Sequence, residues 1–149
     1  MNTHNEDLYN KITDLKNKFS DKKFKISMLE KDIKDINNEM IDLKRAYCVE
    51  WFEKNRTNYF KLVKYGETFY EHYITNIYQY PGQYTLYGCR VYKVKDIVYK
   101  IEPQIETEYD IDKFYQLITN CHSDKLYKVE VSDIMDTVDN FAHRIIRRN

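Results

Sequence analysis

The chain has 149 residues, with 24 basic and 24 acidic side chains and a formal net charge of zero. This length allows one domain plus an appendage, or two very small domains. A balanced charge gives no reason to expect a polyanion as the main partner. The chain has only three glycines, and it contains no Walker loop, no Rossmann turn and no G-x-S-x-G elbow. We therefore expect a protein that is not an enzyme and uses no cofactor.

Apolar residues recur in alternating steps of three and four from Leu8 to Tyr47, which indicates a coiled coil. We call its two core positions, a and d, the seam. Position a holds Ile12, Phe19, Ile26, Ile33, Met40 and Tyr47, and position d holds Leu8, Leu15, Lys22, Leu29, Ile36 and Leu43. A helix with so narrow an apolar stripe is not stable alone in water. The eleven apolar seam residues are therefore the predicted oligomer interface, with a copy of this chain or a homologous coiled-coil chain as partner. The alternative is a helix folded back on the protein's own body.

The charges beside the seam leave the direction of the partner helix open. A parallel pair would make two repulsive contacts, between Lys11 and Lys16 and between Lys18 and Lys23. It would also make two attractive contacts, between Lys25 and Glu30 and between Glu39 and Lys44. An antiparallel pair centred near Lys25 would make attractive contacts between Lys11 and Glu39 and between Lys18 and Asp32. It would also make a repulsive contact between Lys16 and Lys44. Each exposed pair contributes only tenths of a kcal/mol. The charged seam residue Lys22 either sets the register, snorkels outward, or meets an acid on a different chain.

Beyond Tyr47 the apolar residues follow steps of four, which is a stutter in the heptad pattern. We expect the stripe to turn here toward a C-terminal domain and to supply core residues to it, namely Trp51, Phe52, Tyr59, Phe60 and Leu62. The pattern predicts one helix from about Asp7 to Lys64, ended by Gly66. The predicted organisation is a coiled-coil helix over 1–64 and a small domain over 65–149.

The second half has the composition of strands, rich in Tyr, Ile, Thr and Val. The predicted strands are Thr68–Tyr80, Tyr84–Lys95 and Ile97–Ile101, with a turn at Pro81 and Gly82, a stop at Pro103 and an acidic loop over 104–112. A helix capped by Asp110, a short strand over 126–131 and a final helix capped by Ser132 complete the chain. The predicted fold class is α+β: a long N-terminal coiled-coil helix followed by a small domain with an antiparallel sheet and C-terminal helices.

Tyrosines and basic residues interleave across one predicted hairpin and form the candidate partner-binding surface. Its members are Tyr84, Tyr87, Arg90, Tyr92, Lys93, Lys95 and Tyr99. Tyr and Arg are frequent hot-spot residues in protein interfaces, so we predict a protein partner at the C-terminal domain. The same pattern of aromatic rings and cations suits a single strand of nucleic acid, which is the alternative function. A third interpretation is a sheet whose tyrosines are simply half-buried.

The remaining residues indicate a reducing compartment and no metal. The cysteines, Cys48, Cys89 and Cys121, are odd in number and far apart, which is typical of an intracellular protein. With His122 they have the donor types of a zinc site but no C-x-x-C pair, so we expect no metal. The first seven residues do not resemble a signal peptide, and no apolar run is long enough for a bilayer.

Asn, Ile, Lys and Tyr are abundant while Ala and Gly are scarce, a bias typical of AT-rich genomes such as those of some large DNA viruses, parasites and low-GC bacteria. A viral structural or assembly component is one expectation. The layout also resembles the RWD-bearing subunits of kinetochore complexes, in which a long coiled coil ends in a small domain of sheet and helices. The run Val98-Tyr-Lys-Ile-Glu-Pro103, followed by the helix around Leu117, is similar in layout. This resemblance implies a scaffold function.

Overall fold

The computed structural model describes residues 3–64 and 70–148, and their side chains up to residue 142. The elements are α1 (Thr3–Asn55), β1 (Tyr59–Lys64), β2 (Tyr70–Tyr80), β3 (Gln83–Val94), β4 (Ile97–Asp110), α2 (Ile111–Ile118), β5 (Lys125–Val129) and α3 (Val131–Arg148). The chain divides into two compact units, Met1–Met40 and Ile41–Asn149. The predicted α+β class, a long N-terminal helix followed by an antiparallel sheet with short helices, is confirmed.

Helix α1 ends at Asn55, so the prediction that it continues to Lys64 is wrong. The side-chain amide of Asn55 donates to the carbonyl of Trp51 at 2.9 Å. The backbone N–H of Asn58 donates to the Asn55 carbonyl at 3.0 Å, and the Asn58 amide donates to the Asn55 side chain at 3.0 Å. Such local side-chain bonds compete with the helical ladder and favour a turn. The predicted cap Gly66 lies outside the described residues.

The five strands form one sheet in the order β4-β3-β2-β1-β5, and every neighbouring pair is antiparallel. The predicted turn at Pro81 and Gly82 is confirmed, and Gly82 has a φ of +79°. The next hairpin turns through Lys95 and Asp96, with φ values of 50° and 64°. Two consecutive left-handed residues are typical of the type I′ turns that join twisted strands.

Strand β4 continues to Asp110, so the predicted stop at Pro103 and the acidic loop over 104–112 are wrong. β4 lies at an edge of the sheet. Its register with β3 shifts at Pro103 and Gln104, which together oppose one residue of β3, and Gln104 has a φ of 61°. Proline is tolerated in a sheet at such a bulge on an edge strand. The strand resumes beyond it, and Asp110 caps α2 by accepting the N–H of Lys113 at 2.8 Å.

The main core lies between one face of the sheet and two helices, the last turns of α1 and α2. Its buried members are Cys48, Phe60, Leu62, Ile74, Tyr84, Leu86, Tyr109, Phe114 and Leu117. The Trp51 ring lies 5.4 Å from Phe60 and 5.6 Å from Phe114, and Phe52 also packs here. The predicted core role of these α1 and β1 residues is confirmed.

The opposite face of the sheet carries a smaller cluster, in which Tyr73, Val91 and Ile134 are buried. Ile134 comes from α3, which begins at Val131, one residue before the predicted cap Ser132. The Asp133 carboxylate accepts the backbone N–H of Glu130 at 3.1 Å, and this bond belongs to the capping-box pattern at the start of a helix.

Candidate interaction surfaces

The seam residues of the first unit are exposed in the single chain. Between 45 and 64 % of the surface of each apolar side chain is accessible, for Leu8, Ile12, Leu15, Phe19, Ile26, Leu29, Ile33, Ile36 and Met40. Full burial of one such side chain is worth about 1.5–3 kcal/mol relative to exposure. A row of this length on one helix leaves much apolar surface accessible, and exposed apolar surface on this scale is typical of interaction sites.

In the second unit the last seam residues border helix α2. Leu43 remains well exposed, whereas the Tyr47 ring lies edge-on to Tyr115, with 5.3 Å between the ring centroids. One turn earlier, the Lys44 ammonium donates to the Asp112 carboxylate at 2.6 Å. This hydrogen bond holds the pKa of Asp112 below its usual value. The seam therefore ends where α1 begins to pack on its own domain.

The seven residues of the predicted partner-binding surface do not share one surface. Tyr84 is 1 % exposed and belongs to the main core, where its ring stacks on Phe114 at 4.2 Å. Its hydroxyl accepts a hydrogen bond from the amide of Gln79 at 2.9 Å. Tyr84 therefore stabilises the fold and is unavailable to a partner. Tyr87 follows Leu86 in β3 and lies on the opposite face, while Lys95 is in the hairpin turn.

Lys93 lies on the α3 side of the sheet and belongs to a buried charge cluster around Glu71. The Glu71 carboxylate is 3.2 Å from the Lys93 ammonium and 3.6 Å from that of Lys61. It also accepts the hydroxyl of Tyr73 at 3.1 Å. A buried carboxylate requires such partners, so Lys93 has a structural explanation independent of any ligand.

The other predicted residues meet in a cluster that we call the tyrosine patch, which consists of Tyr70, Arg90, Tyr92, Tyr99, Lys100 and Glu102. The Arg90 guanidinium lies 4.2 Å from the centre of the Tyr70 ring, and Lys100 lies 5.2 Å from that of Tyr92. Tyr99 is the extra residue at a register shift of β4 and is about half exposed. Tyr70 was not among the predicted residues, and it joins the patch through its pairing with Tyr92 across the strands and its contact with Arg90.

The cations of the tyrosine patch are partly neutralised within it. The Glu102 carboxylate lies 3.1 Å from Lys100 and 3.9 Å from Arg90, and it accepts the hydroxyl of Tyr92 at 3.1 Å. The hydrogen bond from Lys100 is the main reason that the pKa of Glu102 is lowered. A phosphate backbone would have to compete with this internal acid. The arrangement is better suited to a mixed polar and aromatic protein surface than to a polyanion.

His72 is fully buried at the centre of the sheet. Its Nε2 lies 3.2 Å from the carbonyl oxygen of Ile105, and its Nδ1 lies 3.3 Å from the hydroxyl of Thr107. Burial lowers the pKa of His72 to about 4, so the ring is neutral near pH 7. The neutral ring donates to the Ile105 carbonyl and accepts from Thr107, which fits a structural function.

The thiols and His122 are not brought together as a metal site. Cys48 lies in the main core, where burial raises its pKa to about 11, and Cys89 packs on the opposite face of the sheet. Cys121 is exposed, and His122 contacts Asp124. Over residues 3–64 and 70–148, no group of three or more His, Cys, Asp or Glu residues is placed to hold a metal ion.

No protein-family model matches this chain, and comparisons with curated proteins and with solved structures found no match. The resemblance to RWD-bearing subunits stays a prediction. Within the described part of the chain, no helix is both long enough and apolar enough to cross a membrane.

Proposed function

We propose that this protein is a non-enzymatic structural or adaptor protein that self-associates through the seam of α1 and uses its sheet domain to dock a protein partner. The exposed seam supports this most directly. Its heptad spacing continues through Met40 on an uninterrupted helix, and its apolar side chains are about half accessible. A partner helix of the same period would bury them by knobs-into-holes packing.

The docking function is supported by the composition of the tyrosine patch. It presents aromatic rings and a guanidinium, which are enriched in the energetic centres of protein interfaces. Its internal Glu102 fixes the position of Lys100 and Tyr92 before any partner arrives, which reduces the entropy cost of binding.

The test of self-association compares two double variants of the full chain by light scattering across a concentration series. Leu29→Asp with Ile36→Asp places charges in the seam and should convert the oligomer to a monomer. Met28→Asp with Ile41→Asp introduces the same charges at exposed apolar positions outside the seam and should leave the mass unchanged. A seam variant that retains the wild-type mass would refute the proposal, and so would a wild-type chain that is monomeric at micromolar concentration.

A further inference from the structure

We propose that the partner helix is a second copy of this chain in the antiparallel direction, with Ile26 of one copy packed against Leu29 of the other. This inference rests on the self-association proposed above and adds the orientation and the register. It is supported by the position of Lys22 in the seam, by the distribution of charge along α1 and by the ion pair that engages Lys44.

Lys22 separates the two directions most clearly. In a parallel pair in register, a d residue packs against the same d residue of the other copy, so two Lys22 ammonium groups would share one layer of the interface. In the antiparallel pair each d residue packs against an a residue. With Ile26 against Leu29, Lys22 lies in the layer of Ile33, and the preceding Asp32 is beside it. Each lysine then gains an acid and avoids its own copy.

The charges along the helix are complementary in the same register. Residues 16–25 contain five lysines and one aspartate, and residues 30–39 contain four acids and two lysines. The antiparallel pair sets these two segments against each other, since residue 16 of one copy lies opposite residue 39 of the other. The positions that directly precede the a residues are also basic in the first half of the seam and acidic in the second. They hold Lys18 and Lys25, and then Asp32 and Glu39. A parallel pair would instead set Lys18 beside Lys23.

The ion pair between Lys44 and Asp112 changes the balance in the same direction. Sequence alone gives the parallel pair an attractive contact between Glu39 and Lys44. In the proposed antiparallel register Lys16 lies opposite Glu39, and Lys44 lies opposite Lys11. In the structure the Lys44 ammonium is 2.6 Å from the Asp112 carboxylate of its own chain. Glu39 must compete with that acid, which weakens the parallel contact. In the antiparallel pair the same acid compensates the charge of Lys44 and so weakens its repulsion with Lys11.

Disulfide formation in the full chain tests the direction. In the proposed register Leu15 of one copy packs against Met40 of the other, whereas the two copies of Leu15 are about 37 Å apart along the axis. We would prepare Leu15→Cys, Met40→Cys and the double variant in a background with Cys89→Ser and Cys121→Ser. Under mild oxidation the double variant should give a disulfide-linked dimer. Each single variant should run as a single chain, because its cysteines are too far apart to form a disulfide.

The outcomes separate this inference from the proposal on which it rests. Efficient cross-linking of each single variant would show a parallel pair and overturn the orientation while leaving self-association intact. A dimer in which none of the three variants cross-links would overturn the register. A trimer or larger assembly by light scattering would overturn the two-copy arrangement, and a monomer would overturn both proposals.

A charge reversal gives a second test that does not depend on cysteines. Lys22→Glu places a carboxylate beside Asp32 of the antiparallel partner, so the dimer should become roughly tenfold weaker. Combining it with Asp32→Lys should restore most of that loss. In a parallel pair Lys22→Glu would lie beside Lys23 of the other copy, so an unchanged or tighter dimer would overturn the antiparallel arrangement.

Discussion

The two ends of helix α1 use apolar residues of the same kind in different ways. From Leu8 to Met40 the seam side chains are about half accessible, whereas Cys48 is fully buried and Trp51 and Phe52 pack against the main core. The later residues meet strands and a helix of their own chain, so their burial stabilises the domain directly. The earlier residues are exposed in the single chain, so in the proposed function their burial comes from another helix. Periodicity predicts that an apolar stripe is covered, but it does not tell which chain covers it.

We expect the largest effect from dilution, which should unfold the exposed part of α1 and leave the sheet domain folded. The sole tryptophan, Trp51, lies in the main core and reports on the sheet domain. Far-ultraviolet circular dichroism reports mainly on helices, and residues 3–40 supply about half of the helical residues. Below the dissociation constant we expect a large loss of ellipticity with unchanged Trp51 emission, because an uncovered amphipathic helix is marginally stable. A simultaneous change of both signals would contradict the comparison and indicate one cooperative unit.

Gly88→Ala should unfold the sheet domain selectively. A Cβ at this position would lie 1.7 Å from the backbone oxygen of Tyr73 on the neighbouring strand, so the two strands would have to separate. We expect a loss of about 3 kcal/mol in the free energy of unfolding followed by Trp51 fluorescence. The matched control Gly82→Ala has open space but a φ of +79°, and should cost about 1 kcal/mol. Equal losses in the two variants would refute the close approach at Gly88.

Acid should weaken the sheet domain through His72. In the unfolded chain this histidine takes up a proton below about pH 6.5, whereas in the folded domain its pKa is about 4. The unfolded state therefore binds more protons in this window, and stability that is complete above pH 6.5 is lost as the pH falls toward 4. The loss should reach about 3 kcal/mol.

The control for this prediction is His72→Gln, which keeps a donor and an acceptor for Ile105 and Thr107 but does not titrate. Its unfolding free energy should be lower than that of the wild type at pH 7 and should fall less steeply between pH 6.5 and 4. Parallel pH profiles for the two proteins would show that other groups are responsible.

The smallest expected effect is at the turn between β3 and β4. Lys95 and Asp96 both adopt left-handed backbone conformations, which glycine adopts without steric cost. Asp96→Gly should therefore stabilise the sheet domain by about 0.5 kcal/mol, measured by urea unfolding with Trp51 fluorescence. The mass in light scattering should not change, because this turn is far in sequence from the seam. A destabilised variant would show that the Asp96 side chain contributes more than its backbone strain costs.

The sequence predicted the class of the fold and most strands because their alternation is regular. It failed at two boundaries. The steps of four from Trp51 to Val63 favour a helix, and they outweighed the polar run Asn55 to Asn58, whose side chains end α1. Proline usually ends a strand, but the alternation of apolar and polar residues resumes after Pro103 with Ile105 and continues to Asp110. The strand continues beyond Pro103 because β4 pairs with β3, and a single sequence does not show which strands pair.

The candidate surfaces were predictable to different degrees. The seam residues follow from local spacing on one helix and are exposed in the single chain. Their predicted packing against another helix stays a prediction. The tyrosine patch depends on which strands are neighbours and on where their register shifts. Tyr84 and Tyr92 have the same character in sequence, yet one stacks on Phe114 in the core and the other joins the patch. The different locations of Tyr84 and Tyr92 depend on the pairing of strands and on the position of α2.

The bulge of β4 at Pro103 makes this edge of the sheet a poor template for an added strand. A proline offers no N–H to an incoming strand. The left-handed Gln104 beside it bends the backbone with which a strand of another chain would have to pair. The longest border of the sheet is thus unsuited to templating amyloid-like growth. Tyrosine-rich strands of this length would otherwise be prone to stacking into fibrils at high concentration.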